Sequence, residues 1–449
     1  MRCFYILILS VTSFLMSCSS DEFVSSDEPS GTSDNIYFEF NKWVYFQMNQ
    51  QYLWREDLPD STDCDYDLPP RDFFFSLISS KDRFSYFTKN PNYKGSNYIN
   101  PVGFAYQEYS DIYGNKALQV LYVNSINAKR AGLRRGDFVT FYNKNATTIS
   151  LYRVLCIDGK FVNTNERVEF DVDEINHKAS TVLVDSIYAV NNMKVGYLCY
   201  LEYGDIKDLE KPFQKFWNQN ISELILDLRY NPGGYVSTCQ FLCNCIVSQQ
   251  AYGAVFQQCA YNNILSEYYL RTTGNERTFS YYNYPSSTDK ESLGAKIWGL
   301  NLDRIIILTS QYTASASEAT ILCLKPYMEV VTVGEKTVGK GVGSWTIFDA
   351  KYQYAIQPIT MRYFNAKGET IPDEGLVTDY YIADGFSTSK KEIGDLDESL
   401  LKYAIELLSG NVPQNKNNKA SRKLEYNFTP LDEPSYVKDF KNRHCNESI

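Results

Sequence analysis

Thr309-Ser310-Gln311-Tyr312-Thr313-Ala314-Ser315-Ala316-Ser317-Glu318 follows an apolar run, Arg304 to Leu308, and precedes the helix-like ATILCLKPY. Small residues here let a hydroxyl sit unobstructed at a helix N-terminus, where the dipole and free N–H groups favour negative charge. Serine is also a common N-cap, so residue type alone leaves Ser315, Ser317 or neither as the reactive hydroxyl. A second run, Glu329 to Val333, ends in Gly334-Glu335-Lys336-Thr337-Val338-Gly339-Lys340-Gly341-Val342-Gly343-Ser344. Lysine between glycines is approached closely by backbone, and burial lowers a lysine pKa by up to about 3–5 units, which would supply a neutral amine as a base. A solvated loop lysine is the commoner case. A third run, Leu224 to Leu228, leads into Arg229-Tyr230-Asn231-Pro232-Gly233-Gly234. Paired glycines after proline allow backbone N–H groups close to a ligand, as an oxyanion hole requires, although the same residues make an ordinary turn.

Each motif follows a predicted strand, so in an α/β sheet all three would meet at the strands' carboxyl ends. A hydroxyl, a candidate base and backbone donors together are the parts of an acyl-transfer site. The lysine segment is not a phosphate loop, because Gly341 stands where G-x-x-x-x-G-K-[ST] requires Ser or Thr.

The chain that must position these groups has 449 residues, a prior of about three domains, with 44% apolar and 15% aromatic residues. Collagen, coiled-coil and multi-span membrane classes are excluded. The 44 Lys+Arg against 54 Asp+Glu give a net charge of -10, which argues against a nucleic-acid groove. Only two histidines occur, His177 and His444, so imidazole bases and His-rich metal sites are poorly supplied and neither a cofactor nor a metal is expected.

Phe4 to Met16 behind Arg2 is too short to span a bilayer and reads as a signal peptide, residues 1–17. Leu15-Met16-Ser17-Cys18 resembles the bacterial lipobox, which implies lipid attachment at Cys18 and a membrane anchor in the cell envelope. Residues 18–35, rich in Ser, Asp and Gly, read as a tether. Ser20-Asp21-Glu22 resembles acidic surface-export signals, and an acidic linker has the same composition, so the membrane face stays open.

Residues 36–95 place Trp43, Phe46, Met48, Tyr52 and Trp54 at helical spacing and predict a small helical domain with these side chains in its core. Residues 96–187 change to short β-rich runs. Residues 188–410 alternate apolar strands with helices, predicting α/β layering with parallel pairing, and 411–449 read as a polar tail that frays. Of the 11 cysteines, nine remain after Cys3 and Cys18, an odd number. Cys239, Cys243 and Cys245 lack metal-site spacing and read as small buried apolar residues.

Asn127 to Asp137, with Ala131-Gly132-Leu133 and Gly136-Asp137, resembles the PDZ signature, and Val102-Gly103-Phe104 stands where that family binds a peptide's terminal carboxylate. LDLRYNPGG, TASASE and GEKTVGKG, in this order behind the PDZ-like segment, resemble the C-terminal processing peptidases. The resemblance implies a ClpP/crotonase-like catalytic domain with an inserted PDZ-like domain. It also implies a serine endopeptidase acting on proteins or peptides with accessible C-termini. In that family the nucleophile is the first Ser of S-A-S-E and the Lys follows 25 positions later; 340 − 315 = 25, which selects Ser315 with Lys340 as base. Ala316 N–H with that of Gly233 or Gly234 would hold the oxyanion. Many members place Gln four residues after the Lys, and this chain has Ser344 there, a possible third member. A non-catalytic peptide- or ligand-binding lipoprotein on the same scaffold is the alternative, and an intact Ser315, Lys340 and glycine set weighs against it.

Overall fold

The computed structural model describes residues 37–88, 102–145, 147–172, 180–411 and 428–445. The expected signal peptide, the tether with Cys18, and His177 lie outside the described residues.

The N-terminal layer contains helices α1 (Phe38–Gln51) and α2 (Pro70–Ser76) and strand β1 (Tyr86–Thr88). Phe40, Val44 and Met48, at i, i+4 and i+8, bury one face of α1. Phe46 projects from another face and is 57% exposed, so the expected core stripe is wrong at that position.

Next comes an antiparallel sheet of β2 (Phe104–Asp111), β3 (Lys116–Val123), β4 (Phe138–Lys144), β5 (Thr148–Ile157) and β6 (Lys160–Asp171), with α3 (Ile126–Arg130) between β3 and β4. Ser125 caps α3 by accepting the Ala128 N–H at 3.1 Å. The core of this unit holds Val102, Phe104, Val120, Leu133, Val139 and Leu151.

The remaining elements in chain order begin with β7 (Val182–Val190), β8 (Met193–Tyr200), α4 (Lys207–Asn218), β9 (Glu223–Asp227) and α5 (Val236–Ile246). They continue with β10 (Val255–Ala260), α6 (Asn263–Thr273), β11 (Thr278–Tyr281), α7 (Asp289–Ser292), β12 (Arg304–Thr309), α8 (Ala316–Leu324) and β13 (Glu329–Gly334). Then follow β14 (Val342–Ser344), β15 (Ile347–Asp349), β16 (Tyr354–Gln357), β17 (Ile359–Phe364), β18 (Tyr380–Tyr381) and α9 (Ser399–Leu408).

The central sheet has the order β18-β13-β12-β9-β8-β7, parallel throughout except for the β7–β8 hairpin. The expected domain boundary at residue 187 falls inside β7, because Val182 to Val190 pair with β8 and belong to this sheet. β9 and β12 are near-continuous apolar runs because both faces are covered. Leu224, Leu226, Ile305 and Ile307 face α5 and α8, while Ile225, Ile306 and Leu308 face α9. Cys239, Cys243 and Cys245 are fully buried thiols in α5, as their apolar setting predicts.

Two small sheets flank the central one: β11-β10-β17-β14, and β1-β16-β15. Through β1, which pairs with β16 by Phe87 opposite Ile356, the N-terminal layer is built into the α/β region.

The expected frayed tail is structured over residues 428–445. β19 (Phe428–Pro430) pairs antiparallel with β2, Thr429 opposite Ser110, and α10 (Ser435–Cys445) follows. Phe428 stacks on Phe386 with ring centroids 4.2 Å apart, and Tyr436 is buried against Tyr230 and Tyr122. These rings supply the apolar contact that the polar composition of the segment conceals. The Ser435 hydroxyl accepts the Tyr106 N–H at 2.9 Å, and the Leu431 N–H reaches the Glu108 carbonyl at 3.0 Å.

Candidate active site

The turn after β9 is fixed by buried ion pairs. Asp227, at the strand's end, accepts Tyr197 Oη at 2.7 Å and Arg229 Nε at 3.0 Å. Arg229 in turn grips Glu398 through two parallel bonds of 2.6 and 2.8 Å. Beyond it, Asn231 donates Nδ2 to the Tyr200 carbonyl at 3.0 Å and accepts the Gly233 N–H on Oδ1 at 2.9 Å. Gly233 has φ +115°, and a Cβ there would lie 2.8 Å from Ser315 Cβ and 3.2 Å from Ala316 N. Only glycine permits that approach. At Gly234, φ +135°, a Cβ would meet the Tyr203 carbonyl oxygen at 2.4 Å. Among the described residues no acceptor takes the Gly234 N–H, whereas that of Gly233 is held by Asn231.

Ser315 immediately precedes α8, with φ +57° and ψ −115°. A left-handed φ at a residue other than glycine costs on the order of 1–3 kcal/mol and is kept where the surroundings enforce it. The two candidate hydroxyls are not equivalent. Ser317 is fully buried and donates Oγ to the Asn231 carbonyl at 3.0 Å, so its hydroxyl holds the glycine turn against α8. Ser315 is half-buried and contacts Gly233.

Glu318, in the first turn of α8 and fully buried, joins the serine to the lysine loop. Its Oε2 accepts the Ser315 N–H at 2.9 Å and the Lys340 N–H at 2.8 Å. Its Oε1 accepts the Thr337 hydroxyl at 2.5 Å and the Gly339 N–H at 2.7 Å. Burial pushes the Glu318 pKa up, against the four hydrogen bonds, which favour the carboxylate. The Val338 N–H also reaches the Thr313 carbonyl at 3.0 Å, locking the two loops together.

The lysine loop is covered from the N-terminal layer. Arg83 Nη2 donates to the Gly339 carbonyl at 3.1 Å and the Asp373 carbonyl at 2.8 Å. The Lys340 ammonium lies 5.3 Å from the centroid of the Phe84 ring. Ser344, in β14, accepts Gln357 Nε2 at 2.8 Å, and Gln357 Oε1 accepts the hydroxyls of Tyr86 and Thr346.

The structure thus brings Ser315, Ala316 and Gly233 into contact and ties in the backbone of Lys340. Val102, Gly103 and Phe104 lie apart, at the head of β2 in the other large sheet. Val102 and Phe104 are buried in its core, and Gly103, φ +78°, packs against Ser125. Residue-type reasoning passed over Glu318, Asn231, Arg83, Phe84 and Gln357. Glu318 carried a signal, since Ser315-x-x-Glu318 has the spacing of a capping box. Arg83 carried none, because it meets Gly339 across a separation of 256 residues.

Two family models match the chain: the Peptidase S41 N-terminal domain over residues 39–86 and Peptidase family S41 over residues 194–382. The chain belongs to peptidase family S41. The resemblance to C-terminal processing peptidases read from the three motifs is thereby borne out. The S41 match contains Gly233, Ser315 and Lys340, and the N-terminal match contains Arg83 and Phe84; the β2–β6 sheet lies in neither. Two proteins named "Probable CtpA-like serine protease", from Staphylococcus epidermidis strains ATCC 35984 and ATCC 12228, are 24% identical over 266 residues, 57% of this chain and 48% of theirs. The chain spans about half the length of these curated relatives. A crystal structure from Bacteroides fragilis NCTC 9343, assigned to the S41 proteases, shares the fold at a TM-score of 0.69, with 23% identity, 83% of this chain and 98% of that one covered.

Proposed function

We propose that this chain is a serine endopeptidase in which Ser315 is the nucleophile and Lys340 the base. The observation that carries the reading is the Glu318 carboxylate, which accepts the N–H groups of both residues and so fixes the serine turn against the lysine loop. In this reading the neutral Lys340 amine takes the Ser315 Oγ proton as Oγ bonds to the scissile carbonyl carbon. The resulting oxyanion is held by the Ala316 N–H at the start of α8 and by the Gly234 N–H. The Gly233 N–H joins only if it leaves Asn231. Each such donor is worth roughly 3–4 kcal/mol of barrier. Lys340 then passes the proton to the departing amine; in the second half water gives a proton to Lys340 as its oxygen bonds to the acyl carbon, and Lys340 returns that proton to Ser315 Oγ as the ester bond breaks, restoring both residues. The Phe84 ring shields one side of the amine from water.

The β2–β6 sheet with α3 is proposed as a PDZ-like unit that presents polypeptide chain ends to the site. Val102, Gly103 and Phe104 would receive the terminal carboxylate. A chain end adding along β2 would have to displace β19 and Ser435, which already use the edge from Tyr106 to Asp111. The proposed setting is the bacterial cell envelope, with attachment through a lipid on Cys18.

The test is cleavage of casein by residues 36–449 beside the Ser315→Ala variant. The reading expects fragments from the first and none from the second. Equal fragmentation by both would sink it.

A further inference from the structure

A cavity of about 410 Å³ lies between the β2–β6 sheet, the carboxyl ends of β12 and β13, and the C-terminal segment. Six aromatic rings line it: Tyr109, Tyr230, Tyr312, Phe386, Phe428 and Tyr436. They pack on one another, Tyr436 standing edge-on to Tyr230 at 5.4 Å and to Tyr312 at 6.3 Å between centroids. Aromatic faces are electron-rich and attract cations.

Two carboxylates share the lining, and their surroundings differ. Asp384 is already paired, with Arg135 Nη2 at 2.8 Å and Lys390 Nζ at 2.6 Å, and it also bonds the Tyr230 hydroxyl. Glu335 stands on the same wall, and among the described residues no cation lies within 4.0 Å of it. In the buried ion network beside it, the carboxylates of Asp227, Asp384 and Glu398 face the cations of Arg135, Arg229 and Lys390, three against three. Glu335 is therefore a charge in excess on the cavity wall. Burial, and then the charge of Asp384, disfavour its ionised form more than the more distant Lys390 ammonium favours it, a cost that a bound cation would relieve.

We propose that this cavity binds one organic cation, a guanidinium or alkyl-ammonium head, with Glu335 as its counter-ion and the aromatic rings as its walls. A hard metal ion is a poor fit, because such ions take six or more oxygen ligands and the walls here are mostly carbon. The cation could be a basic side chain of a polypeptide or a free amine. Tyr312 lies three residues before Ser315 and Tyr230 three before Gly233, so a basic side chain held here would sit beside both turns of the proposed peptidase site. Only that choice of source rests on the peptidase reading.

The experiment is calorimetric titration of the full chain with N-acetylarginine methylamide and with its citrulline analogue, which keeps the shape and lacks the charge. The arginine probe is expected to bind at least tenfold more tightly, and the Glu335→Gln variant to bring the two to parity. Phe386→Leu, which thins the aromatic wall, should weaken the arginine probe severalfold and tests the site should Glu335→Gln fail to fold. Equal binding of both probes by the unaltered protein, or an unchanged preference in a folded Glu335→Gln, overturns the proposal. No turnover is needed, so Ser315→Ala must bind the arginine probe like the parent chain even if peptidase activity is never found. Two peptide substrates differing only as arginine and citrulline then assign the source. A KM difference that disappears in Glu335→Gln marks a substrate side chain, and equal KM values beside retained probe binding mark a free amine.

Discussion

Glu318 holds the backbone of Lys340: its Oε2 accepts the Lys340 N–H at 2.8 Å, and the same oxygen accepts the Ser315 N–H at 2.9 Å. A capping side chain, whose ordinary task is to satisfy the start of one helix, here spans two loops. Its carboxylate faces only donors: three N–H groups and the Thr337 hydroxyl.

Glu318→Gln turns one acceptor atom into a donor and leaves at least one buried N–H without a partner, at about 1–3 kcal/mol. The variant is expected to fold with a lower urea midpoint and to lose at least tenfold in kcat, with KM little changed, because the loops move and the substrate contacts do not. The effect on stability depends on pH. The folded-state pKa of Glu318 is raised above that of the unfolded chain, so its titration favours folding fully below the unfolded value. That advantage is lost as pH rises through the folded value. Urea denaturation at pH 4.5 and 7.5 should therefore give a parent-minus-variant stability difference that is larger at the lower pH. A difference that grows with pH would falsify the assignment.

Ser315 and Ser317 differ in what their hydroxyls touch, and so in what their loss does. Ser315→Ala and Lys340→Ala should each abolish peptide cleavage in a protein whose melting temperature stays within a few degrees of the parent. Ser317→Ala removes the bond to the Asn231 carbonyl, costing about 1 kcal/mol, and should keep measurable activity. An acylating probe for serine nucleophiles, read by mass spectrometry, should label Ser315 and never Ser317. Labelling of Ser317 would reverse their roles.

The two serines also mark where the sequence ceased to be legible. Strands β9, β12 and β13 could be read because burial on both faces demands unbroken apolar runs, and a motif after each strand locates the site at their carboxyl ends. Choosing between Ser315 and Ser317 required the family spacing, because both are small hydroxyls at one helix start. The geometry separates them through burial and through two residues of a different strand turn: Asn231, whose carbonyl takes the Ser317 hydroxyl, and Gly233, which lies against Ser315. Phe46 was misplaced because an aromatic at roughly helical spacing can still point away from the face that Phe40, Val44 and Met48 share. The C-terminal segment was missed because two rings, Phe428 and Tyr436, anchor a stretch whose average composition is polar. Arg83 and Phe84 were illegible for another reason: their contacts lie some 250 residues away along the chain.

Phe84 and Arg83 bring the N-terminal layer against the lysine loop of the proposed site. Phe84→Ala removes the ring beside the Lys340 amine and opens that side to water, leaving the Arg83 bonds to the loop carbonyls in place. The variant should stay folded, lose roughly tenfold or more in kcat, and show a displaced pH–rate profile, since the environment of the proposed base has changed. Phe84→Leu, which keeps an apolar cover, should recover most of the rate. An unchanged pH–rate profile in Phe84→Ala would place the ring outside the chemistry.

Ser344 and Gln357 form a pair where many family members carry a single glutamine. The Gln357 amide donates to Ser344 Oγ at 2.8 Å, and its own carbonyl oxygen is fixed by the hydroxyls of Tyr86 and Thr346. Gln357 stands on β16, the strand to which β1 of the N-terminal layer is paired. If Ser344 orients the Lys340 amine, the orientation depends on this amide, and Ser344→Ala and Gln357→Ala should then lower kcat by similar factors. The double variant should be no worse than either alone, since the two act as one unit. Wild-type rates in Ser344→Ala would exclude it as a third member. Losses that multiply in the double variant would show that Gln357 acts through the β1–β16 pairing instead of through Ser344.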